Sequence, residues 1–162
     1  MDFIQFIQKG LSNNNAKVAK IYQDVSPEEL FFRPYSKVNH LAWELGHIAF
    51  VRNTLIKLLN PDEKLSLFSN EKVIFAPKTP LQPNEVFPPL EELLNAFSQR
   101  GEQLLVLLSQ ASPQHLASVS PFNLPFVGVT VEEQLSTFFL HEYQHLGEIG
   151  YLKNIITRLR FE

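Results

Sequence analysis

Residues 130–159, with the sequence TVEEQLSTFFLHEYQHLGEIGYLKNIITRL, decide the fold of this chain. Thr130 is followed three residues later by Glu133, and this pair forms a capping box that predicts the start of one long helix. His141 and His145 are four residues apart, so the helix turns both imidazoles to one side, about 6 Å apart along its axis. This spacing suits two ligands of a zinc-class metal ion, and the remaining ligands must come from elsewhere in the fold.

The apolar residues of this segment recur at helical spacing and form one broad face of the helix. Glu142 and His145 fall inside that face, whereas His141 lies on its flank. Polar groups in a buried face need partners, because an unpaired buried charge costs several kcal/mol or is neutralised. A bound metal would supply such a partner. The alternative is that both histidines are ordinary surface or core residues held by hydrogen bonds.

Three more long helices are predicted upstream from apolar periodicity, caps and prolines. A short helix is also expected after Ser26, which is followed by Pro at the first helical position. The connection between the second and third long helices contains four prolines, and it is either a plain crossover or a functional lid. The expected bounds of the three long helices are 3–22, 38–59 and 88–109, and those of the crossover are 60–87.

These elements predict an all-α fold, a four-helix bundle with a long crossover between helices two and three. A length of 162 residues is typical of one domain, so we expect a single domain spanning residues 1–162. A hydrophobic content of 44% with 14 Phe supplies ample core material. In such bundles, metal and ligand sites are built from side chains on facing helices.

Two positions interrupt the apolar faces of the predicted helices. Asn14 takes an inward position of the first helix, where it is either satisfied by a neighbouring helix or lines a pocket. Gly101 lies on the core face of the third long helix, where glycine costs about 1 kcal/mol relative to alanine. We therefore expect another helix or a ligand to approach closely at Gly101.

Composition excludes several classes of function. A net charge of -3 without any block of Lys or Arg gives no electrostatic basis for binding nucleic acid. Because there is no cysteine, a metal would rest on His and carboxylate ligands, and any thiol would arrive with a substrate. Neither a signal peptide nor a membrane-spanning run is evident, so we expect a cytoplasmic protein without a membrane partner.

The segment His141-Glu142-Tyr143-Gln144-His145 matches the H-E-x-x-H pattern, in which two His bind zinc and Glu is the general base of a metallopeptidase. The longer metzincin pattern fails, because Glu148 and Tyr151 stand where Gly and His are required. No strand is predicted that could hold a peptide substrate by adding it to a sheet. A metallopeptidase is therefore the least favoured of the functions considered.

Two motifs resemble the DinB/YfiT-like family of metal-binding four-helix bundles. WELGHI at residues 43–48 is similar to the family's Trp-x-x-Gly-His segment in helix two, and HEYQHLGEI at residues 141–149 is similar to its last-helix motif. The resemblance covers essentially the whole chain. It implies that His47, His141 and His145 form a metal triad, with zinc or nickel commonly bound and with homodimers common. It also implies a thiol-dependent transferase, since some family members use low-molecular-weight thiols such as bacillithiol or mycothiol.

A three-His site with one open position is typical of a catalytic metal rather than a closed structural one. Glu142, Glu44 and Glu148 are candidates for the carboxylates that hold the ligating imidazoles, and Glu142 is also the candidate catalytic base. His40 shares a helix face with His47 and could replace it, although the family motif favours His47.

Two classes of function follow from these patterns. The first is a metal-dependent enzyme, a thiol S-transferase or a hydrolase, that acts on a small-molecule substrate. The second is a non-enzymatic, stress-related protein that binds a metal or a small ligand.

Overall fold

The computed structural model describes residues 2–124 and 126–161. In these ranges the chain forms seven α-helices, four of them long, and no strand beyond one isolated bridge between Val119 and Thr130. The prediction of an all-α fold is confirmed. None of the helices in the described ranges is long and apolar enough to cross a membrane. The helices are α1 (Phe3–Tyr22), α2 (Pro27–Leu30), α3 (Leu41–Leu59), α4 (Glu71–Phe75), α5 (Leu90–Gln110), α6 (Pro113–Leu116) and α7 (Val131–Leu159).

The helix ends follow the local signals in the sequence closely. Thr130 caps α7 with the predicted capping box, and Ser26 caps α2 in the same way. Helix α3, the second of the long helices, begins at Leu41, three residues later than expected. The reason is that the Nδ1 atom of His40 accepts a hydrogen bond from the backbone N–H of Trp43, so that His40 is the N-cap. An N-cap residue has extended backbone angles itself, so the helix begins at the residue that follows it.

The four long helices pack against one another in a ring of contacts. Helix α3 contacts both α5 and α7, and α1 contacts the same two helices from the opposite side. Nearly every residue of α3 is buried, including several polar ones, because this helix is covered all round. The polar side chains of α3 must therefore find their partners on neighbouring helices, as Glu44, His47 and Arg52 do.

A layer of polar residues divides the core into two apolar halves. One half surrounds Trp43, Phe75 and Leu146, and the other surrounds Leu11, Leu55 and Phe139. Between them lie the buried side chains that interrupt the apolar pattern of each long helix. These are Asn14 on α1, Arg52 on α3 and Glu142 on α7, with Gly101 of α5 packed beside them.

Gly101 lies at a close approach, as predicted. A Cβ atom added there would lie 2.4 Å from the Nη1 atom of Arg52 and 2.6 Å from the Nδ2 atom of Asn15. The approaching groups are thus side chains of α3 and α1. Asn14, the other predicted interruption, donates a hydrogen bond of 2.9 Å to Glu142, which satisfies it within the core.

The connection between α3 and α5, predicted as either a plain crossover or a functional lid, is an ordered segment. It contains α4 and a short 3-10 helix, Asn84–Val86, and α4 contacts α3. Glu71 of α4 accepts a 2.5 Å hydrogen bond from Arg100 of α5, and both side chains are almost fully buried. Arg100 also donates to the carbonyl oxygens of Ala49 and Ser66. This buried ion pair fixes the connection on the helices.

Candidate metal centre

Three histidines from two helices converge near one end of the helical core. His47 comes from α3, whereas His141 and His145 come from consecutive turns of α7. One ring nitrogen from each lies within 4.8 Å of the others, so the three could hold a metal ion. The ring centroids are 4.4 to 5.2 Å apart. The structure thus brings together the three residues that the sequence motifs indicate.

The spacing of two ring nitrogens fits a shared metal ion. The Nε2 atoms of His141 and His145 face each other at 3.2 Å. Two nitrogens bound to one tetrahedral zinc at roughly 2.0 to 2.1 Å are separated by about 3.3 Å. The two imidazoles therefore already stand at the separation that a common ion requires.

His47 is held in one orientation by the connection between α3 and α5. Its Nδ1–H donates a 2.7 Å hydrogen bond to the carbonyl oxygen of Phe75, so Nε2 is the nitrogen with a free lone pair. Trp43 stacks on the imidazole with ring centroids 4.6 Å apart and planes 9° apart. The indole of Trp43 is in turn fixed by a hydrogen bond of 3.1 Å to the carbonyl oxygen of Ile74. Helix α4 therefore determines the tautomer and tilt of His47.

His145 is held in the same way by a carboxylate. Its Nδ1–H donates to the buried Glu44 at 2.6 Å, and Glu148 lies 3.3 Å from the same nitrogen. Asn39 donates to the other oxygen of Glu44 and keeps that carboxylate in place. Carboxylates commonly hold ligating imidazoles by this arrangement, which leaves Nε2 free for a metal.

Burial and charge set the protonation of the cluster. Burial lowers the pKa of His47 to about 4, and burial followed by the charge of His145 lowers the pKa of His141. Burial also acts to lower the pKa of His145, but the hydrogen bond and charge of Glu44 outweigh it, so that the pKa is raised. His47 and His141 are therefore neutral at pH 7, the form that binds metals.

The profile of the DinB superfamily matches residues 11–149, which include all three histidines. The chain belongs to the DinB superfamily. A solved structure with the same fold is the crystal structure of a conserved protein from Enterococcus faecalis, with 17% sequence identity and a TM-score of 0.76. That alignment covers 97% of this chain and 98% of the other, and at this identity it shows the fold alone. The comparison with curated proteins found no match.

Glu142, the predicted general base of this DinB-superfamily chain, lies in the polar layer of the core. Both of its carboxylate oxygens accept hydrogen bonds from Arg52, at 2.8 and 2.7 Å, and one also accepts from Asn14. Among the described residues, two groups could hold a metal ion, the three histidines and the set of Glu44, His145 and Glu148, and Glu142 belongs to neither. Because both carboxylate oxygens are already engaged by donors, the geometry favours a structural role for Glu142, and its catalytic role stays a prediction.

His40, the predicted alternative to His47, lies outside the triad. Its Nδ1 caps α3, and its ring packs edge-on against Phe31 and Phe87 with centroids 5.1 and 4.7 Å away. The lone pair of Nδ1 is already used by the cap. Within the described residues, His40 is therefore a structural histidine.

The structure places the predicted carboxylates Glu44 and Glu148 at His145, but sequence reasoning missed other residues that support the site through tertiary contacts. Arg52 interrupts the apolar pattern of α3 as a basic residue at a fully buried position, and that interruption was the available signal. Gly46, directly before His47, gave a second signal, because the ring of Phe75 occupies the space of its missing side chain. The carbonyl oxygens of Phe75 and Ile74 gave no signal, since backbone acceptors carry no residue identity.

Proposed function

We propose that this chain binds one divalent transition metal ion, zinc or nickel, through His47, His141 and His145. The observation that carries the proposal is the 3.2 Å separation of the Nε2 atoms of His141 and His145. It is supported by the acceptors that turn the Nδ1–H groups of His47 and His145 away from the centre. Membership of the DinB superfamily adds support, because metal binding is usual in this family.

We further propose that the chain is one domain, spanning residues 1–162, with the four-helix bundle and long crossover of its family. The ring of contacts among α1, α3, α5 and α7 supports the bundle. The family resemblance and several exposed apolar side chains, among them Phe6, Leu140 and Tyr143, support a homodimer.

The reaction proposed is attack by the sulfur of a low-molecular-weight thiol, or by the oxygen of water, on the electrophilic atom of a small substrate. The nucleophile gives up its proton, and the bond from that atom to the leaving group breaks. A bound metal of this class would act as a Lewis acid that lowers the pKa of a bound thiol or water. Glu44 and the carbonyl oxygen of Phe75 orient two of the imidazoles. Glu148 is about half exposed beside His145, which suits it to accept a proton. The chain contains no cysteine, so the thiol must come from a substrate.

The pairing of Glu142 with Arg52 argues against a peptidase. In the H-E-x-x-H mechanism the glutamate must accept a proton from the attacking water. Here both oxygens are committed to a buried guanidinium. The second candidate function is a metal- or small-ligand-binding protein without turnover, which would use the same centre.

Metal analysis of the purified chain tests the centre directly. We expect close to one metal ion per chain in the wild type, and loss of it in single Ala variants of His47, His141 and His145. His115→Ala is the matched control, because His115 lies in α6 and bonds the carbonyl oxygen of Leu58 instead. Full metal retention in His145→Ala would overturn the triad.

A thiol-transfer assay then separates the two candidate functions. Cysteine, glutathione and bacillithiol would each be supplied with 1-chloro-2,4-dinitrobenzene, before and after removal of the metal by a chelator. Turnover that is lost on chelation and restored by zinc or nickel supports the enzyme. A metal-loaded chain without turnover on any thiol supports the binding protein.

A further inference from the structure

A cleft of about 470 Å³ borders the metal centre on the side of α7. One wall is the segment before α3, which contributes Tyr35, Lys37 and Val38, and the other wall is Tyr151 of α7. Glu44 and Glu148, the two carboxylates beside His145, also line it. This volume falls within the range of small-molecule sites, which is roughly 300 to 1,000 Å³.

The walls of the cleft offer aromatic and aliphatic surface to a ligand. Tyr35 and Tyr151 line the cleft and are 67% and 62% exposed, so both rings are accessible to a ligand. Tyrosine rings bind flat apolar groups and also attract cations through the negative face of the ring. Val38 adds aliphatic surface beside them. An organic molecule with an apolar body fits these walls.

The charges along the cleft favour a cationic head group. Glu44 is buried, and its oxygens are bound by Asn39 and His145. The Glu148 side chain is 45% exposed, and in the described part of the chain its ionisable partner is His145 alone. Lys37 is exposed and has no ion-pair partner among the described residues. Among the acidic groups that line the cleft, Glu44 is already paired within the protein, so the half-exposed carboxylate of Glu148 is the one available to a ligand cation.

We propose that this cleft binds a small primary amine with an aromatic or aliphatic body. The ammonium group pairs with Glu148 beside Glu44, and the body lies between Tyr35 and Tyr151. A carboxylate or phosphate in the same place would face the carboxylate of Glu148 and be repelled. The binding itself stands on the geometry of the cleft. The view that the amine is a substrate of the metal centre rests in addition on the proposed function.

Three probes of one shape test the charge preference. Phenethylamine, 2-phenylethanol and 3-phenylpropionate carry a positive, a neutral and a negative head group on the same aromatic body. Isothermal titration of the chain should give phenethylamine an affinity about three- to fivefold above 2-phenylethanol, the upper part of the range for one partly exposed charge pair. Binding of 3-phenylpropionate should be weaker than that of either. Equal or tighter binding of 3-phenylpropionate would overturn the proposal.

Single-residue variants test whether Glu148 causes the preference for the amine. Glu148→Gln should reduce the preference for phenethylamine over 2-phenylethanol to less than twofold while both still bind. Lys37→Gln should leave that preference intact or increase it, and Glu102→Gln, an exposed change on α5, is the matched control. A preference that is unchanged in Glu148→Gln would show that the amine is bound elsewhere and would overturn the site.

One experiment distinguishes an error in the proposed amine site from an error in the proposed metal centre. The same titrations are repeated after the metal is removed, and the metal content of each sample is measured. If the purified chain holds no metal yet keeps the Glu148-dependent preference, the cleft stands and the metal-dependent function fails. If the protein holds one metal ion per chain but shows no preference for phenethylamine, the proposal for the cleft is overturned and the metal centre stands.

Discussion

Arg52 binds both carboxylate oxygens of Glu142 from across the core, with hydrogen bonds of 2.8 and 2.7 Å between fully buried groups. The guanidinium also stacks on the ring of Phe97 at 3.5 Å and donates to Asn15 and to the Phe97 carbonyl oxygen. Since Glu142 lies next to His141 on α7, the pair fixes the rotation of that helix about its axis. The same rotation turns His141 and His145 toward α3.

Glu142→Gln should therefore destabilise the protein, because it leaves the buried guanidinium of Arg52 without its counter-charge. Loss of one partner of a buried pair costs about 3 to 5 kcal/mol. Urea denaturation measures this loss, with the exposed change Glu102→Gln as a control expected to stay within about 0.5 kcal/mol of wild type. A Glu142→Gln protein of wild-type stability whose turnover falls about 10² to 10⁴ fold would instead restore the catalytic-base role.

Gly46→Ala and Gly147→Ala should have opposite effects on stability. A Cβ atom at Gly46 would lie 2.1 Å from the buried ring of Phe75, which has no room to move, so we expect a loss of about 1 to 3 kcal/mol. At Gly147 nothing lies within 4 Å, and alanine should stabilise the helix by up to about 1 kcal/mol. The melting temperatures of both variants, measured by thermal unfolding, test these two expectations. Equal melting temperatures would contradict the close packing of α4 on α3.

Glu71→Gln should weaken metal binding although Glu71 is not a ligand. The change removes the charge partner of the buried Arg100 and loosens α4, whose Phe75 carbonyl oxygen orients His47. Loss of groups that orient metal ligands lowers metal affinity about 10 to 100 fold, and we expect the lower end of that range. Competition with a chelator measures the affinity.

Glu85→Gln is the control for that experiment, because Glu85 is exposed in the same connection. The measurements belong at a temperature where circular dichroism shows both variants fully folded. An unchanged affinity in a folded Glu71→Gln protein would mean that α4 does not control the orientation of His47.

Stability should fall as the pH drops from 6.5 toward 4, in part because of His40. Burial, with a smaller contribution from the charge of Arg33, lowers the pKa of this histidine from 6.5 to about 4 in the folded chain. The unfolded chain therefore takes up the proton first, and unfolding becomes easier between these two pH values. Protonation of Nδ1 would also remove the acceptor that caps α3.

His40→Asn isolates that contribution, since asparagine can cap a helix but does not titrate. As the pH falls from 7.5 to 5, the urea midpoint of the wild type should fall relative to that of the variant. The wild type should lose about 1 to 2 kcal/mol more of its free energy of unfolding than the variant. His47 is present in both proteins, so its own titration cancels in the comparison. Parallel pH curves for the two proteins would exclude His40 as an acid-sensitive group.

Local signals in the sequence determined most of the helical architecture. The capping box at Thr130, the Ser26-Pro27 start of α2 and the apolar periodicity of α1 each agree with the observed helix ends. The i, i+4 spacing of His141 and His145 also sufficed to place their imidazoles together. Caps, prolines and helical periodicity act within a few residues along the chain, and these are the distances over which a sequence can be read directly.

Tertiary packing decided the partners of the buried polar groups. Whether His40 or His47 faces α7 depends on where α3 begins and how it is rotated, and the cap at His40 settles both. Glu142 finds Arg52 at a separation of 90 residues in sequence, and His47 finds the Phe75 carbonyl oxygen at a separation of 28. A buried donor or acceptor must be paired, but which group pairs with it is set by the packing of whole helices, and no short pattern encodes that choice.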